Sequence, residues 1–169
     1  MIHVCSLSKV EETVARTGAE RLLSLLADGT GIIRPASILA ENHLHLVMHD
    51  IVAAQEGMTM PGEEHVRALL DFAYRWDRAK PMVVHCYAGI SRSTASAYII
   101  AAALAPKRDE AELAKTLRFL SPSATPNPRL IAVADMLLGR EGRMIAAVEA
   151  IGRGADAFEG IPFELSIRD

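Results

Sequence analysis

The apolar run Met82-Val83-Val84 leads through His85 into Cys86-Tyr87-Ala88-Gly89-Ile90-Ser91-Arg92, and an apolar, alanine-rich segment, Ser93 to Leu104, follows at once. A short apolar run that ends in a glycine-containing turn fits a strand buried on both faces. The alanine-rich segment fits a helix held in the interior. Strand, tight loop and helix in that order bring the loop's N–H groups and the helix N-terminus to one point, which makes a site for an anion. A cysteine there has its thiolate favoured and is a nucleophile at neutral pH. The guanidinium fork of Arg92 can grip two oxygens of a phosphoryl group. Gly89 lets the loop turn and lets its backbone approach a ligand. A buried structural cysteine at a strand end is the plainer account of Cys86, but it needs neither the glycine nor the arginine.

The remainder of the chain fits around this unit. Ile2 to Leu7 reads as a first strand. Ser8 opens a helical pattern to about Ala27, with Val10, Val14, Leu22, Leu23 and Leu26 on its apolar face and Gly18 weakening its middle. Ile32-Ile33 reads as a brief strand before Pro35. His43 to Met48 alternates, with Leu44, Leu46 and Met48 on one side, and delivers His49 and Asp50 to the end of a half-buried strand. Residues 51–62 form a loop, and Glu63 to about Arg78 a helix with Val66, Leu69, Leu70 and Ala73 buried. Asp109-Glu110-Ala111-Glu112 starts a helix to about Leu120. Ser121 to Pro128 is a turn. A last helix runs from about Arg129 to Leu138 and resumes after Gly142 up to Ile151. The tail from Gly152 is glycine-rich and weakly patterned. Strands alternating with helices predict an α/β fold whose central, mostly parallel sheet is flanked by helices on both faces. The anion loop then lies at the C-terminal end of its strand, where ligands bind in such folds.

With 169 residues the chain is expected to form one domain, 1–169, large enough for a real core. A net charge of −3 argues against general nucleic-acid binding. Two cysteines make no disulfide framework. A nucleophilic thiol needs a reducing compartment, so a cytoplasmic location is expected. The start Met1-Ile2-His3-Val4-Cys5 lacks the pattern of a signal peptide. The longest apolar stretch, Ala95 to Ala105, is too short to cross a bilayer, so no membrane partner is expected.

The segment from His85 to Ser93 resembles the signature of the cysteine-based protein tyrosine phosphatases, His-Cys-x5-Arg-(Ser/Thr). It matches at His85, Cys86, Gly89, Arg92 and Ser93. The chain is similar to their small bacterial-type tyrosine and dual-specificity members over roughly Leu44 to Leu138. Before that, only the strand–helix outline matches. The resemblance implies attack on phosphorus by Cys86, a phosphocysteine intermediate, and phosphate held by Arg92 and the loop from Tyr87 through Ala88, Gly89, Ile90 and Ser91. It implies no metal and no other cofactor. It also implies an aspartate on a loop after a strand that protonates the leaving oxygen and later activates water. Asp50 fits, 36 residues upstream of Cys86. Its plainer role is to cap a turn, and Glu56, Glu63 and Glu64 compete with it. Ser93 corresponds to the residue that helps the thiolate leave, although an ordinary helix N-cap accounts for it too. His85 corresponds to the histidine that orients the loop, or is simply packed at a strand end. Asn127, after Pro126, corresponds to an asparagine that braces the loop, or else it caps the next helix.

A phosphorylated protein or peptide is the expected partner, carrying phosphotyrosine and also phosphoserine or phosphothreonine. The absence of a cation at Tyr87, Ala88, Ile90 and Ser91 argues against a highly charged inositol head group. Three alternatives stand beside this expectation: a non-catalytic phosphoprotein-binding module, a phosphatase for a non-protein phosphate ester, and a metal site on His43, His45 and His49. Peroxide is expected to oxidise Cys86 reversibly. Cys5 is either a resolving thiol for it or a buried strand residue.

Overall fold

The computed structural model describes residues 1–168. A five-stranded sheet in the order β3-β2-β4-β1-β5 is built from β1 (Ile2–Ser6), β2 (Arg21–Leu26), β3 (His43–Val47), β4 (Met82–Cys86) and β5 (Phe163–Leu165). β1 to β4 run parallel, and β5 runs antiparallel against β1. The uninterrupted apolar run of β4 is thus central, with every residue buried. On one face lies α1 (Val10–Thr17), which closes a small cluster of Cys5, Val10, Val14, Leu22, Ile38 and Val83. On the other lie α2 (Glu63–Tyr74), α3 (Arg92–Leu104), α4 (Glu110–Leu120), α5 (Pro128–Leu137) and α6 (Arg143–Ile151) over the main core. The expected α/β architecture, with helices on both faces, is what the chain adopts.

α3 is buried from Arg92 through Ala102. Its small residues Ala95, Ala97, Ala101 and Ala102 let it lie close between the sheet and α2, α4 and α5. Tyr98 spans this layer and donates its hydroxyl to the Glu110 carbonyl at 3.0 Å. A nearly buried ion pair, Arg140 to Glu110 at 3.0 Å, joins the helices, and Arg140 also donates to the carbonyls of Ala102 and Pro106.

Three local expectations are corrected. The helix expected from Ser8 to Ala27 ends at Thr17, where Gly18 takes the left-handed conformation (φ 65°) and its N–H bonds Val14 O. Arg21–Leu26 is then a strand. Leu22 faces the small cluster while Leu23 and Leu25 face the main core, so a run buried on both sides carries no strand period to read. Ile32-Ile33 is not a strand: Ile33 is exposed, and glycines and Pro35 leave no run long enough to pair. The helix from Glu63 ends at Tyr74 instead of Arg78, since Arg21 reaches over to bond the carbonyls of Phe72 and Arg75. The tail from Gly152, weakly patterned as it is, returns to the sheet and supplies β5. Among the described residues no helix is long and apolar enough to cross a membrane.

Candidate active site

Cys86 ends β4 and Arg92 opens α3, with Tyr87–Ser91 as the loop between them. The carbonyls of this loop point outward and are taken by its surroundings. Tyr87 O accepts from Leu7 N at 3.1 Å, and Ala88 O from Gly160 N at 2.8 Å. Ile90 O accepts from Thr125 N at 2.9 Å, and Ser91 O from Asn127 N at 3.3 Å. Thr94 Oγ1 donates to the last two as well. With its carbonyls turned out, the loop turns its amides inward. Gly89 N donates to Cys86 Sγ at 3.3 Å, and Ser93 Oγ lies 3.1 Å from the same sulfur. Among the described residues no protein acceptor takes the amides of Tyr87, Ala88, Ile90 or Ser91. Gly89 is needed twice over: its φ is +73°, and a Cβ there would stand 2.8 Å from the backbone of Cys5.

Arg92 is buried, and its Nη1 donates to Met48 O at 2.8 Å, while its Nε has no partner among the described residues. A buried donor without an acceptor costs about 1–3 kcal/mol, and an oxyanion in the loop is the group that would satisfy it. Met48 lies two residues before Asp50, so Arg92 also ties the exit of β3 to the loop. Asp50 completes this tie. Its Oδ1 accepts from Ser91 Oγ at 2.7 Å and from Asn127 Nδ2 at 2.8 Å, and no donor among the described residues takes Oδ2. Asn127 Oδ1 caps α5 by accepting from the amides of Arg129 and Leu130, while its backbone N–H donates to Ser91 O and its Nδ2 to Asp50 Oδ1. Ser93, by contrast, is not a cap. It lies inside α3, whose N-cap is Ser91. Of the competing acids, Glu63 pairs with Arg67 along α2.

Beneath the loop, His85 is fully buried, and burial pushes its ring down to about 4, so it is neutral at physiological pH. Its Nδ1 lies 3.3 Å from Cys86 O, which can only accept, so Nδ1 carries the proton. Nε2 then accepts from Ser24 Oγ at 2.7 Å, and Ser24 Oγ accepts in turn from His43 Nε2 at 2.9 Å. Of the three histidines weighed as a metal site, His43 is thus bonded to Ser24. The rings of His43 and His45 stack 6.2 Å apart, and His49 Nδ1 accepts from Thr59 N. Among the described residues no three histidine, cysteine, aspartate or glutamate side chains are grouped to hold a metal ion. Cys5 pairs with His85 across the ladder, so its thiol faces the small cluster while Cys86 faces the main core. Burial pushes the Cys5 thiol up to about 11, and opposite faces of one sheet rule out a Cys5–Cys86 disulfide.

Several contributors were silent in the sequence. Ser24 is the lone polar residue in Leu22-Leu23-Ser24-Leu25-Leu26, and that interruption was its only signal. The carbonyl of Met48 has none, since any residue supplies one. The tail residues Phe158, Glu159 and Gly160 sit against the loop although they lie far from it in the chain.

No protein-family model matches the sequence, and none of the curated proteins does. Solved structures do match in fold. The PTP-2 phosphatase of Cydia pomonella superposes with a TM-score of 0.62 at 16% identity, covering 80% of this chain and 84% of its own. Human DUSP28 gives 0.59 at 18% identity, covering 89% and 95%. PTPMT1 in complex with PI(5)P gives 0.63 at 12% identity, covering 89% and 94%. The chain has the α/β fold of the cysteine-based tyrosine and dual-specificity phosphatases.

Proposed function

We propose that the protein is a cysteine-dependent phosphatase that hydrolyses phosphotyrosine in a protein or peptide. One observation carries most of the weight: Gly89 N and Ser93 Oγ meet at Cys86 Sγ inside a loop whose carbonyls are bonded outward, beside a buried arginine with an unpartnered Nε. Such a cradle of amides and guanidinium stabilises charge on phosphoryl oxygens. In the first step the Cys86 thiolate attacks phosphorus and the bond to the ester oxygen breaks. Asp50, held through Oδ1, gives that oxygen a proton from Oδ2. In the second step water attacks the phosphocysteine, Asp50 takes the water's proton, and the sulfur leaves as thiolate with Ser93 Oγ donating to it. Phosphate is the product. Arg92 and the loop amides hold the three non-bridging oxygens throughout.

The loop offers no lysine or arginine beyond Arg92, which favours a singly phosphorylated side chain over a polyphosphorylated head group. Turnover of an aryl phosphate is the direct test. The wild type should hydrolyse it, Cys86→Ser should bind phosphate compounds and turn over nothing, and Asp50→Asn should lose about 10²–10⁴-fold in kcat. Asp50→Asn should also lose the alkaline limb of the pH–rate profile; a limb left intact would reassign the acid. A wild-type protein that binds phosphopeptide without turnover would instead be a recognition module.

A further inference from the structure

The C-terminal segment brings to the loop two side chains that the chemistry above does not use. Phe158 is fully exposed, and Tyr87 on the loop itself is 65% exposed. With Leu7, Ser8, Ala88 and Glu159 they line a groove of about 370 Å³ beside the loop. Glu159 is fixed in place: Oε1 accepts from Ser6 Oγ and Ser8 Oγ at the end of β1, which holds its carboxyl below the usual range. Among the described residues no basic side chain forms an ion pair with it; Lys9 pairs with Glu12 and reaches Glu159 only through its longer-range field. Gly160, the next residue, is locked to the loop by its N–H to Ala88 O at 2.8 Å.

We infer that this groove is a subsite for a lysine or arginine side chain that flanks the phosphorylated residue of a peptide substrate. The inference rests on the phosphatase proposal, because the groove shares Tyr87 and Ala88 with the phosphate loop. Two aromatic rings and an oriented carboxylate together attract a cation. Leu7 and Ala88 provide apolar surface for its methylene stem. An apolar side chain would fill the same space but would strip water from the Glu159 carboxylate with nothing to replace it. An acidic side chain or a second phosphate would be repelled. The chain's net charge of −3 acts in the same direction.

The test uses phosphotyrosyl peptides that differ at one position, with lysine, alanine, leucine or glutamate placed in turn on either side of the phosphotyrosine. The lysine peptide should exceed the alanine peptide by about tenfold in kcat/KM at one of these positions, and the excess should shrink as salt rises. Glutamate should fall below alanine. In Glu159→Gln, which keeps an acceptor for the two serines, and in Phe158→Ala, at a fully exposed position, the lysine-to-alanine ratio should drop towards one. This ratio is internal to each protein and does not depend on its absolute activity. Equal rates for lysine and alanine at every position, or a preference for leucine, would overturn the subsite and leave the phosphatase assignment standing. If an aryl phosphate is not hydrolysed, that assignment fails on its own; the same peptides' affinities, read by fluorescence anisotropy, still decide whether the groove selects a cation.

Discussion

His85 shows how one side chain under the loop links pH to stability. Its ring is held at about 4 in the folded protein, against about 6.5 in an unfolded chain. Above pH 6.5 it is neutral in both states and contributes nothing to the pH dependence. Between about 6.5 and 4 the unfolded chain binds the extra proton, so stability falls as the pH falls, by about 3 kcal/mol from this group. Urea unfolding at pH 7 and pH 4.5 should show about 2 kcal/mol of that loss in the wild type, and the His85 contribution should be missing from the slope of His85→Gln. An unchanged slope in the variant would mean that the ring titrates normally. Asn127 is the second telling residue, because one amide caps α5 and anchors Asp50. Asn127→Ala should lose about 1 kcal/mol of stability from the cap. It should also lose up to about a hundredfold in kcat on an aryl phosphate, as the acid loses its fixed position. If kcat stays at the wild-type level while stability falls, Asn127 acts only as a cap.

At the scale of elements, the loop is held by its neighbours more than by itself. The exit of β1, the turn before α5 and the C-terminal tail each donate to one or two of its carbonyls. The tail comes closest: a Cβ on Gly160 would lie 2.7 Å from Gly89 O. Gly160→Ala should therefore push the loop and lower kcat by about tenfold or more, with the circular dichroism spectrum unchanged; full activity would show that the tail yields instead. The sheet also separates the two thiols. Iodoacetamide on the native protein at neutral pH should label Cys86, and leave Cys5 unlabelled because burial raises it to about 11. After peroxide treatment, mass mapping should yield a thiol-reversible Cys86 adduct and no Cys5–Cys86 peptide. Recovery of that peptide would require the strands to separate.

For the whole molecule, the layer that carries the site is also the main hydrophobic core. α3 is both the wall behind the loop and the centre of the main core. Ile99→Ala, at a fully buried position, should cost about 2–5 kcal/mol. Glu110→Ala should cost about 3–5 kcal/mol, because it leaves the buried Arg140 charge with carbonyl partners but no carboxylate. Chemical denaturation measures both; a loss under 1 kcal/mol for Glu110→Ala would show that Arg140 finds water. Neither change touches the loop directly, so residual activity should follow the folded fraction.

By itself the sequence determined the βα unit around Cys86, the half-buried strand that ends near Asp50, and the cap at Asp109. Each of these is written in neighbouring residues, as an apolar run, an alternation or a capping side chain. The α/β class followed, because strands and helices alternate along the chain. Only the tertiary structure decided that Leu22 to Leu26 is a strand, since a segment buried on both faces looks the same in either period. It alone brought Asp50 across β2 to Ser91 and Asn127, and Ser24 beneath His85. It alone set Phe158, Glu159 and Gly160 of the tail beside Tyr87 and Ala88. Those contacts join residues far apart in the chain through backbone carbonyls and sheet order, and neither leaves a periodic mark on a sequence.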